Sequence, residues 1–166
     1  MSTHVGNSIP RRAVARISAL ALLAAGIALG FTPAPAVAAP GAPIASWGDN
    51  GQGQLGVGST TSSTPAVSVL TTGALAGKTI VQVAAGVEHA CAVTSDGALA
   101  CWGDNTEGQI GNGGGADVLA PLLINGGSLA GKSVTQVSAG LRHTCALTSD
   151  GAVSCWGRDA EGQLGN

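Results

Sequence analysis

The sequence predicts an all-β fold, a β-propeller-type array of four-stranded units, on three observations. One eleven-residue phrase occurs three times, at residues 46–56, 101–111 and 155–165, and reads Ser/Cys-Trp-Gly, two polar residues or Arg-Asp, then a Gly-Gln-Leu/Ile-Gly close. Its tryptophans, Trp47, Trp102 and Trp156, are 55 and 54 residues apart. A fixed period of that size marks a repeat architecture, in which each unit buries its apolar face against the next. Glycine makes up 27 of 166 residues, tyrosine is absent and Phe31 is the single phenylalanine, a composition that favours short strands and tight turns. Between the phrases the apolar runs are short and carry no helical period. Four such runs per unit are what a propeller blade requires.

Residues 1–38 read as a signal peptide. Arg11, Arg12 and Arg16 form a basic start, and an Ala/Leu-rich stretch of 15 residues follows from Ile17 to Phe31. That is short of the ~20 needed to span a bilayer. Ala36-Val37-Ala38 has the A-x-A form of a cleavage site, which puts the cut after Ala38. The Arg11-Arg12 pair raises the twin-arginine export route, although Ala13 and Val14 do not extend that signal. The sequence thus predicts a secreted or cell-envelope protein with no stable membrane span after cleavage. Removing the leader leaves four basic against nine acidic residues, a net charge of −5. Lys78, Lys132, Arg142 and Arg158 are isolated in sequence, which argues against a nucleic-acid surface.

Residues 39–43 are an Ala/Pro linker, and 44–166 hold the repeats. A strand is expected at 44–47, then the Gly-rich loop of the first phrase, where Asp49 and Asn50 suit turns. Another strand is expected at 66–70, begun by Pro65, then a turn over 71–78 and strands at 80–84, 89–94 and 98–102. The second copy repeats this with a first strand at 119–124, a second at 134–138 and a hairpin from 143–148 with 152–156. Gly77/Gly131, Lys78/Lys132, Gln82/Gln136, Gly86/Gly140, His89/His143 and Gly97/Gly151 match at a spacing of 54.

The Trp-Gly-x-Asn-x-x-Gly-Gln-Leu-Gly phrase, with Trp47-Gly48, Trp102-Gly103 and Trp156-Gly157 as its signature pairs, resembles the regulator of chromosome condensation repeat family. So does the companion run from Val83 to Gly97, which contains His89, with His143 as its counterpart. The resemblance implies a β-propeller, usually seven-bladed, with blades built across repeat boundaries. The third phrase departs from the pattern, with Arg158 and Asp159 in place of Asp-Asn. The 128 residues after Ala38 hold only about 2.4 units, about two and a half blades. A fragment of a longer protein is the expectation from that count. Self-association is the other outcome, three copies supplying about seven blades, because an open array exposes strand edges and apolar faces.

Cys91, Cys101, Cys145 and Cys155 form two pairs ten residues apart, centred on Asp96 and Asp150. A three-residue hairpin loop at Ser95-Asp96-Gly97 sets Cys91 opposite Cys101 at a non-hydrogen-bonded position, with Cα atoms ~4.5 Å apart. The same count applies to Cys145 and Cys155. Export supplies an oxidising compartment, so bridges Cys91–Cys101 and Cys145–Cys155 are predicted. Each closes an 11-residue loop, worth roughly 3 kcal/mol in the chain-entropy model. A metal centre built from His89, Cys91 and Cys101 is the rival, but the spacing lacks the loop of structural zinc sites.

His89 and His143 read as structural, since the neighbouring Glu88 becomes Arg142 and no partner is shared by both copies. The Asp-Asn loops fail the EF-hand order, and the glycine runs do not fit a phosphate loop. The tryptophans fit blade packing better than a ligand platform. No catalytic residue, cofactor or metal is expected. The resemblance implies a secreted, non-enzymatic module that binds a protein partner the sequence does not identify. An inhibitor of a secreted enzyme and a structural envelope protein are the alternatives. Guanine-nucleotide exchange, an activity of some members, is set aside because of the export signal, the incomplete ring and the acidic mature chain.

Overall fold

The computed structural model describes residues 16–18 and 43–165. Arg11, Arg12, the cleavage site at 36–38 and linker residues 39–42 lie outside the described residues. Ten strands are placed: β1 (Arg16–Ser18), β2 (Ala45–Gly48), β3 (Ser63–Ser68), β4 (Ile80–Ala85), β5 (His89–Thr94), β6 (Leu99–Gly103), β7 (Val118–Ile124), β8 (Val134–Ala139), β9 (His143–Thr148) and β10 (Val153–Gly157). They form three antiparallel sheets, ordered β1-β2-β3, β4-β5-β6-β7 and β8-β9-β10. The middle sheet is a complete four-stranded blade. The third holds the counterparts of β4, β5 and β6. In the first, β2 and β3 match β6 and β7, while β1 takes the place of β5: Ile17 faces Ser46 as Cys91 faces Cys101. Among the described residues no helix is long and apolar enough to cross a membrane.

Three sequence expectations are corrected. The strand at 119–124 was grouped with those that follow it. It pairs instead with the preceding β6, Leu99 facing Ile124 and Cys101 facing Leu122, so the blade straddles the repeat boundary. Pro65 was expected to begin its strand but lies inside β3. The register shifts there between Ser46 and Gly48, and a bulge on an outer strand tolerates a residue without an N–H. The turns after β3 and β7 contain 3-10 segments at Gly73–Leu75 and Gly127–Leu129. Leu75 and Leu129 are buried, and drawing each into the core tightens its turn.

Period-two alternation sorts the middle blade between two cores. Ala90, Ala92, Ala100 and Trp102 join Ile44, Val69, Leu75 and Ile80 on the side of the first sheet. Cys91, Val93, Leu99 and Cys101 join Ile110, Ile124, Leu129, Val134, Val137 and Ala146 on the side of the third. Every residue of β5 and β6 is therefore buried. Small alanines on the first face leave room for the Trp102 ring, which is 0% exposed.

Candidate functional site: the loop-bearing rim

The phrase loops and the β4–β5 and β8–β9 turns share one rim. The Asp104 N–H donates to the Glu88 carbonyl at 2.8 Å, and the Arg158 N–H donates to the Arg142 carbonyl at 2.8 Å. Gly103 sits at this junction with φ 106°, and a Cβ there would lie 2.4 Å from the Glu88 oxygen. Only glycine allows that approach. Gly48 and Gly157 end β2 and β10 at matching positions. The opposite rim carries the hairpin turns, where Lys78 pairs with Asp96 and Lys132 with Asp150. Thr94, Lys78 and the Ala98 N–H hold the Asp96 carboxyl well below its usual range. Thr148 and Lys132 do the same for Asp150.

Each phrase loop is organised by the side chain after its Asp or Arg. Asn105 accepts from the Ile110 N–H at 3.0 Å and donates to the Gly114 carbonyl at 2.8 Å. Asn50 does the same with Leu55 and Ser59, at 2.9 and 2.8 Å. Asp159 keeps the acceptor role toward Leu164 at 2.9 Å but, as a carboxylate, donates nothing. Gln109 donates to Asp104 at 2.7 Å. Burial works against the Asp104 charge, but the Thr106 N–H, Gln109 and Arg142 outweigh it and hold its carboxyl below the usual range.

Neighbouring units are wired together through these loops. The Trp102 indole donates to the Gln54 carbonyl at 3.0 Å, and the Trp156 indole to the Gln109 carbonyl at 3.0 Å. Thr144 Oγ1 donates to the same Gln109 carbonyl at 2.8 Å. Its hydroxyl hydrogen is thereby committed, so it accepts from His89 Nε2, 2.9 Å away. That assigns the Nε2–H tautomer to His89 and leaves Nδ1 as a bare acceptor, which has no hydrogen-bond partner among the described residues. His89 is 2% exposed. Burial pushes its imidazole down to about 4, against the opposing pull of the Asp104 carboxylate. His143 opens β9 and is only half-buried. Trp47 and Trp156 are also half-buried.

Cys91 faces Cys101 across β5 and β6, and Cys145 faces Cys155 across β9 and β10. The sulfurs are 2.15 and 2.07 Å apart, with Cα separations of 4.0 and 4.1 Å. Bonded in this way, the thiols are not metal ligands. Ser46 stands where Cys101 and Cys155 stand in the other phrases, and its Oγ donates to the Leu55 carbonyl at 2.8 Å. Sequence reasoning missed Thr144, because its counterpart is Ala90 and no repeat signal marks it. It also missed that Arg142 and Arg158, sixteen residues apart in sequence, stack on one rim.

Sheets of four strands standing side by side, joined by carbonyls that reach from one phrase to the next tryptophan, define consecutive blades of a β-propeller. Models of the Regulator of chromosome condensation (RCC1) repeat match residues 46–93 and 96–147, and 80–109 and 134–163. The chain belongs to that repeat family. It is similar to the Ultraviolet-B receptor UVR8 of Arabidopsis thaliana, 39% identical over 123 residues, covering 74% of this chain and 27% of the receptor. It is also similar to the Probable E3 ubiquitin-protein ligase HERC4 of Homo sapiens, 37% identical over 120 residues, covering 72% of this chain and 11% of the ligase. Among solved structures, Prp20p from Saccharomyces cerevisiae matches with a TM-score of 0.63 and 26% identity, over 75% of this chain and 30% of that one. Human WBSCR16 matches with a TM-score of 0.61 and 28% identity, over 71% and 30%. The chain thus spans less than a third of the length of each of these proteins.

Proposed function

We infer that the chain is an exported, non-enzymatic protein-binding module whose loop-bearing rim presents the contact surface. The observation that carries this reading is a contrast between the repeats. The framework positions are the same in both copies: Gln82/Gln136, His89/His143, Trp102/Trp156 and the cysteine pairs. The rim positions change: Val87 to Leu141, Glu88 to Arg142, Asp104 to Arg158 and Thr106 to Ala160. A rigid scaffold with variable loops is the usual layout of a binding surface. The relative Prp20p is described by its binding to Gsp1p and histones, so a protein-binding role has precedent in the family. Export rests on the leader at residues 1–38, and an oxidising destination suits two cross-strand cysteine pairs.

The test uses the full chain expressed with its leader in a bacterial host. Fractionation and N-terminal sequencing should find it outside the cytoplasm, starting at Ala39. Photo-crosslinkers placed at Leu141 and, on the opposite rim, at Ser149 should capture partner protein from the first position only. A cytoplasmic product with an intact leader would overturn export. Equal capture from both rims would overturn the assignment of the surface.

A further inference from the structure

The geometry points to a docking site on the third unit for an acidic protein segment that carries a large apolar side chain, held by Arg142, Arg158 and Leu141. This rests on the protein-binding reading and names the chemistry of the partner.

Arg142 and Arg158 are the only arginines in residues 43–165, and both line one cleft of about 720 Å³ with Leu141 and Val87. Leu141 is 73% exposed and Val87 39%. These two hold matching positions in successive units, so the apolar exposure recurs with the repeat. The Arg142 guanidinium lies 3.7 Å from Glu88 and 3.8 Å from Glu107. Those are charge contacts, longer than a hydrogen bond, so its five N–H donors are unspent on the described residues. Arg158 makes one bond, to Glu161 at 2.9 Å. A planar fork of donors beside an exposed leucine fits a carboxylate next to an apolar side chain, and arginine with apolar residues is the usual make-up of an interface centre.

The complementarity is local. At the two matching positions of the preceding unit stand Glu88 and Asp104. The same rim is therefore acid over acid in one blade and base over base in the next. An acidic segment is repelled from the first and received by the second, which fixes where on the array it lands. The two lysines lie on the opposite rim, each tied to its turn aspartate, and do not compete.

The probe is a fluorescein-labelled peptide alternating glutamate with leucine, titrated with the intact chain and read by fluorescence anisotropy. Two companion peptides replace glutamate by glutamine or leucine by serine. The acidic leucine peptide should bind, both companions should bind about tenfold more weakly, and added salt should weaken the binding. Arg142→Gln with Arg158→Gln should lose about tenfold, Leu141→Ser several-fold, and Lys78→Gln on the other rim nothing. Matching thermal melts separate these losses from unfolding, and the glutamine variants avoid placing a new acid beside Glu88. No binding, equal binding of the glutamine peptide, or wild-type binding by the double variant would overturn the site. So would displacement by dextran sulfate with no dependence on leucine. Crosslinking at Leu141 to a partner without acidic segments would overturn this site yet leave the protein-binding reading standing.

Discussion

Acid should loosen the join between the second and third units through His89 before it reaches any carboxylate. The unfolded imidazole titrates near 6.5 and the folded one near 4. The folded value is lowered, so the unfolded chain binds more protons between them. The stability that depends on a neutral His89 is present above 6.5 and is lost as pH falls toward 4. With one unit of pKa worth about 1.4 kcal/mol, the slope near pH 5 is about 1 kcal/mol per pH unit, and the loss from pH 7 to 4.5 is about 2 kcal/mol. Asp96, Asp104 and Asp150 are held below their usual range. Their contributions are present above 3.8 and fade below it, so the upper window belongs to the histidine. Urea unfolding at pH 7, 6, 5 and 4.5 measures the effect. With a slope of ~1–3 kcal/mol per molar urea, the midpoint should fall by about 1 M. His89→Gln keeps a donor toward Thr144 without the titration, so its midpoint should stay flat over the same range. A flat wild-type profile, or an equal slope in the variant, would refute the assignment of a buried neutral imidazole.

Three further outcomes follow from the same contacts. Gly111→Ala places a Cβ 2.5 Å from the Trp156 indole nitrogen at φ +83°, and should cost about 3 kcal/mol. Gly108→Ala has a similar φ of +78° with nothing within 4 Å and should cost only about 1 kcal/mol, so equal losses in urea titrations would show that the indole contact is unimportant. Thr144→Val removes the acceptor for His89 and one donor to Gln109. It should cost about 1–3 kcal/mol, with the loss largely absent when His89→Leu is already present, and additive losses would contradict the shared network. Under mild reductant and alkylation, peptide mapping should find Cys145 and Cys155 labelled before Cys91 and Cys101. The first pair is half-buried and the second fully buried, and labelling in the reverse order would refute the burial argument.

Much of the fold was legible because the repeat supplied internal comparison. β5 and β9 fall on the residues expected, and the count outward from Asp96 gave the register that sets Cys91 opposite Cys101. What escaped lay across units rather than within them. Nothing local marks residues 118–124 as the outer strand of the blade before them, since period-two alternation defines a face and not a neighbour. Pro65 argued for a strand start, yet a bulge opposite Trp47 absorbed it. The rim was less legible still. Arg142 and Arg158 are unremarkable in sequence, and only the backbone bond between them makes them one patch.

Gln82 joins the second and third sheets at their innermost strands. Its amide donates to the Val137 carbonyl and accepts from the Val137 N–H, both at 2.9 Å, so one side chain does what a strand neighbour would do. The gap between those strands is then the reach of a glutamine, with the wider outer gap left to tryptophan and leucine. A wedge of fixed inner spacing gives each sheet a set rotation from the last. The bend of the array is in this sense written in the length of one side chain, and a shorter amide at residue 82 would tighten the arc.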